Sequence, residues 1–137
     1  MDRSFPSLIF SSDSKTVDKD FVISELQKSY WANTRSDDII LRSIESSLSF
    51  SVFMDKKQIA FARVITDCAT FAYLCDVVVT EKYRGLGIGK KLIDYVLKNE
   101  KLKDVVWVLR TKDAHSLYEE FGFEKTWRPE RYMEKNR

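Results

Sequence analysis

Three of the chain's four glycines, Gly85, Gly87 and Gly89, fall within one short stretch, Arg84-Gly85-Leu86-Gly87-Ile88-Gly89-Lys90. A largely apolar run, Phe71 to Thr80, comes before it. A stripe of Ile88, Leu92, Ile93, Val96 and Leu97 follows at helical spacing, with Lys90, Lys91, Asp94 and Lys98 mostly away from it. A strand that turns through glycine into a helix leaves free main-chain N–H groups at the positive end of the helix dipole. Such a place binds phosphate. A plain turn needs one glycine there, not three. The G-x-G-x-G spacing matches neither the G-x-G-x-x-G dinucleotide fingerprint nor a G-x-x-x-x-G-K-[ST] P-loop, because Lys91 follows Gly89-Lys90.

The rest of the chain frames this loop. Leu8 to Phe10 reads as a short strand, and Asp18 to Tyr30 sets Val22, Leu26 and Tyr30 on one helical stripe. Ser36 is an N-cap for a second helix, with Asp37 and Asp38 in its first turn and Ile40, Ile44 and Leu48 along its apolar side. Phe50 to Met54, Ile59 to Thr66 and Phe71 to Thr80 are strands of an antiparallel meander, with Asp55-Lys56-Lys57 as the first turn. Val105-Val106-Trp107-Val108-Leu109 is unbroken apolar sequence, as in a strand covered on both faces. Asp113 is placed to cap a short helix through Glu120, and Phe121-Gly122-Phe123 to turn into a last strand near Phe123 to Trp127. The fold class is mixed α/β: an antiparallel meander leads into a parallel strand-helix-strand unit.

A length of 137 residues fits a single domain, residues 1–137. Hydrophobic residues at 44% and charged residues at 32% argue against disorder. The net charge of +2 gives no ground for a nucleic-acid partner, and no apolar run approaches the roughly 20 residues that span a bilayer. Met1 to Pro6 holds no apolar secretory-signal stretch, so a reducing cytoplasm is the expected compartment. Cys68 and Cys75 are read as buried free thiols, and no metal site is expected. The mixed charges from Arg131 to Arg137 read as a solvated tail.

Arg84-Gly85-Leu86-Gly87-Ile88-Gly89 resembles the R/Q-x-x-G-x-G/A signature of the GNAT superfamily of N-acetyltransferases. Asp76-Val77-Val78-Val79-Thr80 looks like that family's central strand, and Ala114 to Phe123 is similar to its A-x-x-L-Y-x-x-x-G-F segment. The clear resemblance spans roughly residues 50 to 126. It implies a GNAT-like acyl-CoA N-acyltransferase fold and direct transfer of acetyl from acetyl-CoA to a primary amine of a small molecule or peptide. It also suggests a homodimer. Main-chain groups of Val77, Val78 and Val79 would hold pantetheine, and Arg84, Gly85, Leu86, Gly87, Ile88, Gly89 and Lys90 the pyrophosphate. Thr111 stands where many members have an asparagine that contacts CoA.

Tyr118 occupies the position of the family's general acid, and a phenol can protonate a departing thiolate. Packing the helix on the sheet is its other reading. Asp76 is open to three roles: base through water, anchor for the acceptor ammonium, or structural partner of Arg63. Cys75 stands where diamine acetyltransferases carry a glutamate, which counts against a polyamine acceptor. His115, one helical turn before Tyr118, reads as a hydrogen-bonded helix-start residue. Tyr30, Trp31, Arg35, Arg63 and Asp67 are candidates for the acceptor side. The alternative function is a non-catalytic CoA-binding sensor or regulatory module, and a phosphate binder of another fold is a third reading.

Overall fold

Apolar residues in the middle of the chain build the sheet. Leu48–Met54 (β2), Lys57–Thr66 (β3) and Phe71–Val79 (β4) pair antiparallel in sequence order, and Leu8–Ser11 (β1) adds to β2. Val106–Leu109 (β5) runs parallel to β4 and completes the order β1-β2-β3-β4-β5. This computed structural model describes residues 7–136; Met1 to Pro6, where the signal-peptide reading applied, and Arg137 lie outside the described residues. Among the described residues no helix is long and apolar enough to cross a membrane.

Each face of the sheet buries its own helices. Phe50, Val52, Ala62, Val64, Ala72 and Leu74 pack against Ile88, Leu92 and Val96 of Ile88–Leu97 (α3). Phe61 and Val78, on the other side, meet Val22 and Leu26 of Lys19–Gln27 (α1) and Ile40 and Ile44 of Asp37–Glu45 (α2). Each Val, Leu, Ile or Phe among them contributes about 1.5–3 kcal/mol by leaving water, and each Ala less. Ser36 caps α2 as expected, accepting from the Ile39 N–H, and Asp18 does the same for α1 at the Phe21 N–H. Leu48 belongs to β2 and not to the α2 stripe, because α2 ends at Glu45 before Ser46 and Ser47.

The C-terminal side differs from expectation. β5 is the edge of the sheet and not a covered strand, with Val106 65% exposed. The strand expected over Phe123 to Trp127 does not form. Trp127 instead lies under the Arg128 guanidinium at 3.8 Å, and Pro129, which lacks an N–H, opens a 3-10 turn. Asp113 caps nothing at the short helix His115–Glu119 (α4); the Thr111 hydroxyl takes the Ala114 N–H at 3.0 Å. Cys68, expected to be buried, is exposed in the β3–β4 turn, whereas Cys75 is half-buried, and both are free thiols.

The two-residue turn between β2 and β3 holds Asp55 at φ 50° and Lys56 at φ 67°, both in the left-handed region. Asn-Gly suits such a turn far better than Asp-Lys. Replacing Asp55-Lys56 by Asn-Gly should raise stability by about 1 kcal/mol. The urea unfolding midpoint reads this directly, and an unchanged midpoint would refute it.

Candidate active site

β5 accompanies β4 for only part of its length. Pairing runs from Phe71↔Val106 to Leu74↔Leu109, after which β4 continues to Val79 with β3 alone. The parting coincides with a bulge. Between the pairs Arg63↔Cys75 and Phe61↔Val78, β3 has Ala62 while β4 has both Asp76 and Val77. Asp76 takes φ 52°, a left-handed value that aspartate tolerates better than most residues. A bulge bends its strand and adds twist, so β4 veers from the line that β5 keeps.

The extra residue also turns the Asp76 side chain toward the α1–α2 loop. Its Oδ1 accepts from Trp31 Nε1 at 2.9 Å and from Arg35 Nη1 at 3.1 Å. Its Oδ2 accepts from Arg35 Nη1 and from Arg63 Nε, both at 2.9 Å. The carboxylate has no exposed surface, with side-chain exposure of 0%. Burial alone would raise its pKa, but the Arg63 and Arg35 guanidiniums, with bonds from Arg63 and Trp31, hold it below the usual carboxylate range. Of the roles open to Asp76 in the sequence, this geometry fits the ion-pair partner, because a fully engaged, acid-shifted carboxylate is a poor base.

The glycine loop lies at the far end of β4. Gly85 and Gly87 have φ of 78° and 81°, which only glycine adopts without strain. Gly89 has an ordinary φ, and a Cβ there would meet only Val79 Cγ2, at 3.7 Å. Among the described residues, no protein acceptor takes the main-chain N–H groups of Gly85 through Lys90; the first bond of the turn is Lys91 N–H to the Gly87 carbonyl. These donors converge at the N-terminus of α3, an anion-binding geometry. Arg84 Nε donates to the Val79 carbonyl at 2.9 Å, and Lys90 Nζ pairs with Glu120 at 3.1 Å. Val79 therefore has its carbonyl taken, while Val77 and Val78 flank the opening beyond Leu109.

Tyr118 stands on α4 beside that opening. Its ring packs into the core shared with α3 and meets Phe123 edge-on at 5.9 Å. Burial pushes its phenol pKa up, and Tyr30, on the opposite side of the sheet, adds to the rise. The phenol is therefore within electrostatic reach of the α1–α2 loop. Thr111 uses its oxygen to accept from Ala114, which leaves its O–H free to donate. His115 is exposed and, like Tyr118, lines a trough of about 980 Å³ along the free edge of β5. Among the described residues no group of His, Cys, Asp and Glu is arranged to hold a metal.

Of the acceptor-side candidates, Tyr30, Trp31, Arg35 and Arg63 come together and Asp67 does not. Asp67 is an exposed turn former whose pKa is lowered first by the Thr70 hydroxyl and then by main-chain N–H groups of Thr70, Ala69 and Phe71. Sequence reasoning missed Tyr73, Arg110 and Lys112. Arg110 Nε donates to the Tyr73 hydroxyl at 2.9 Å, and Lys112 Nζ lies 5.3 Å from the centre of the Tyr30 ring. Only the parallel register of β4 and β5, which sets Leu74 beside Leu109, would have brought Tyr73 and Arg110 together.

The parted strands and the glycine loop at the start of α3 together make an architecture that the comparisons with known proteins assign to a family. The family described as the acetyltransferase (GNAT) domain matches residues 46–125, more than half of the chain. A solved structure from Xanthomonas campestris pv. campestris, of a protein assigned to the GNAT family of acetyltransferases, is 38% identical with a TM-score of 0.92, over 96% of this chain and 94% of that one. The chain therefore belongs to the GNAT family of acetyltransferases. Two more distant structures share the fold. A protein of unknown function from methicillin-resistant Staphylococcus aureus has 18% identity and a TM-score of 0.75, covering 96% and 99% of the two chains. The ribosomal-protein-S18-alanine N-acetyltransferase of Escherichia coli has 22% identity and a TM-score of 0.72, covering 88% and 79%. No curated protein matches the sequence.

Asp76→Asn would leave Arg63 buried, and Arg35 partly so, without a counter-charge. It should cost about 3–5 kcal/mol at pH 7. Because the folded pKa lies below the unfolded one, the stabilisation is complete above about pH 4 and is lost as pH falls through the lower folded value. Urea unfolding across pH should show the gap between wild type and variant closing in acid. A gap that stays constant down to pH 2 would contradict the ion-pair account.

Proposed function

We propose that the protein moves an acetyl group directly from acetyl-CoA to a primary amine carried by a small molecule or a peptide. The observation that carries this reading is the row of unpartnered N–H groups from Gly85 through Lys90, set beside the point where β4 loses β5. A diphosphate on that loop extends its pantetheine arm along β4, where main-chain groups of Val77 and Val78 have no β5 partner. Arg84 and Lys90 supply charge at the diphosphate, and the Thr111 hydroxyl supplies a donor near the pantetheine.

The amine nitrogen attacks the thioester carbonyl carbon, the C–N bond forms, and the C–S bond breaks. The departing thiolate takes the Tyr118 phenolic proton, and the surplus proton of the amine passes to water. A phenol whose pKa is raised stays protonated at neutral pH and is available as the acid. Asp76 acts by position: it fixes the bulge that opens the strands and the loop bearing Tyr30 and Trp31.

The two glycine types should respond oppositely. Gly87→Ala forces an alanine to positive φ, so it should cost about 1–2 kcal/mol and weaken CoA binding by misdirecting the loop donors. Gly89→Ala meets only ordinary contact and replaces a poor helix former, so stability should hold or rise slightly and CoA binding should persist. Thermal unfolding with and without CoA compares the two, and equal behaviour would count against the loop geometry.

Tyr118→Phe should lower kcat by about 10²-fold or more while the CoA-induced thermal shift is retained. Thiol release from acetyl-CoA is to be measured against amino acids, polyamines, aminoglycosides and peptide N-termini. Unchanged turnover in this variant would remove the assigned acid. Absence of release with every amine would remove the transfer reaction.

A further inference from the structure

Arginines and a lysine gather on the acceptor side of the opening, and the two carboxylates bonded to those arginines, Asp76 and Glu134, are engaged by them. Asp76 is shared between Arg35 and Arg63. Glu134 pairs with Arg110 at 2.8 Å. Arg63 stands opposite Cys75 in the β3–β4 register, Arg35 joins Arg63 at Asp76, and Arg110 donates to the hydroxyl of Tyr73, two residues before Cys75. Cys75 is the first β4 residue beyond the last pair with β5, so these guanidiniums gather where the gap begins.

Lys112 adds a fourth cation, over the face of Tyr30. Tyr30 in turn packs edge-on against Trp31 at 5.1 Å, and Trp31 is bonded to Asp76. The loop after β5 and the α1–α2 loop thus meet across the mouth through a lysine and an aromatic pair.

Arg35 is the cation with donors to spare. Its Nη1 is engaged with both Asp76 oxygens, and among the described residues Nε and Nη2 have no protein partner. Its side chain is 28% exposed, unlike that of Arg63 at 9%. A guanidinium edge of this kind recognises a planar or tetrahedral oxyanion through paired N–H bonds. A polyamine at the same place would meet the like charges of Arg35 and Lys112.

Resting on the acetyl-transfer reading above, we propose that the acceptor is an amine that also carries a compact oxyanion, a carboxylate or a phosphate. Arg35 and Lys112 hold the oxyanion while the amine faces the thioester. The same surroundings serve the chemistry, because neighbouring cations disfavour an ammonium and enlarge the neutral, nucleophilic fraction of the amine. That fits a site whose one buried carboxylate is unavailable as a base.

The test compares matched acceptors by thiol release from acetyl-CoA with the full chain. α-Amino acids are set against their amides, phosphoethanolamine against ethanolamine, and spermidine serves as the polycation. The oxyanion-bearing member of at least one pair should show kcat/KM at least tenfold above its neutral partner, and the pair that responds tells carboxylate from phosphate. Arg35→Ala risks the fold through Asp76, so Lys112→Glu is the informative variant. It should raise KM for the oxyanion-bearing amine about tenfold, with the CoA-induced thermal shift kept. Preference for neutral amines or spermidine, or an unchanged KM in Lys112→Glu, would overturn the proposal while leaving acetyl transfer standing. If CoA shifts the unfolding temperature but no amine releases thiol, transfer itself fails and the acceptor proposal falls with it.

Discussion

The ion cluster around Asp76 is the constraint on which the rest of the site depends. One buried carboxylate joins three parts of the chain: β4 through its own backbone, β3 through Arg63, and the α1–α2 loop through Trp31 and Arg35. A buried carboxylate is costly unless every lone pair is met, and here the partners meet them. The same residue adopts a left-handed backbone and forms the bulge. Charge pairing and strand geometry are therefore fixed together, and the parting of β4 from β5 follows where the pairing stops.

The two ends of that parting divide the work. At the far end, positive-φ glycines turn the chain into α3, and among the described residues no protein acceptor takes the N–H groups of Gly85 through Lys90. Near Cys75, guanidiniums and aromatic rings gather instead. A backbone cradle suits a diphosphate whatever it is attached to, whereas a side-chain floor discriminates among acceptors. Tyr118 packs its ring into the α3 core, and burial, with a smaller contribution from Tyr30, pushes its phenol pKa up.

Expectation and structure part company where partners are distant in sequence. Ser36 could be read as a cap because its partner, Ile39, is three residues away. The role of Asp76 could not be chosen, because Arg35 and Trp31 are 41 and 45 residues distant. The apolar run ending at Leu109 spoke for cover on both faces, yet Val106 is 65% exposed, because cover on a face comes from segments remote in sequence. Asp113 had the right chemistry for a cap, yet the N-cap position falls on Ala114, whose own N–H goes to Thr111, so α4 has no side-chain cap.

By itself the sequence determined the mixed α/β order, the apolar faces of the helices and of the meander strands, and the glycine-bearing turn into α3. These rest on periodicity and on glycine, whose effects act within a few residues along the chain. Tertiary structure decided which carboxylate is buried, where the two strands separate, and which cations gather beside the gap. Those outcomes are set by strand register and by charges brought together from remote segments, and neither exists until the sheet has formed.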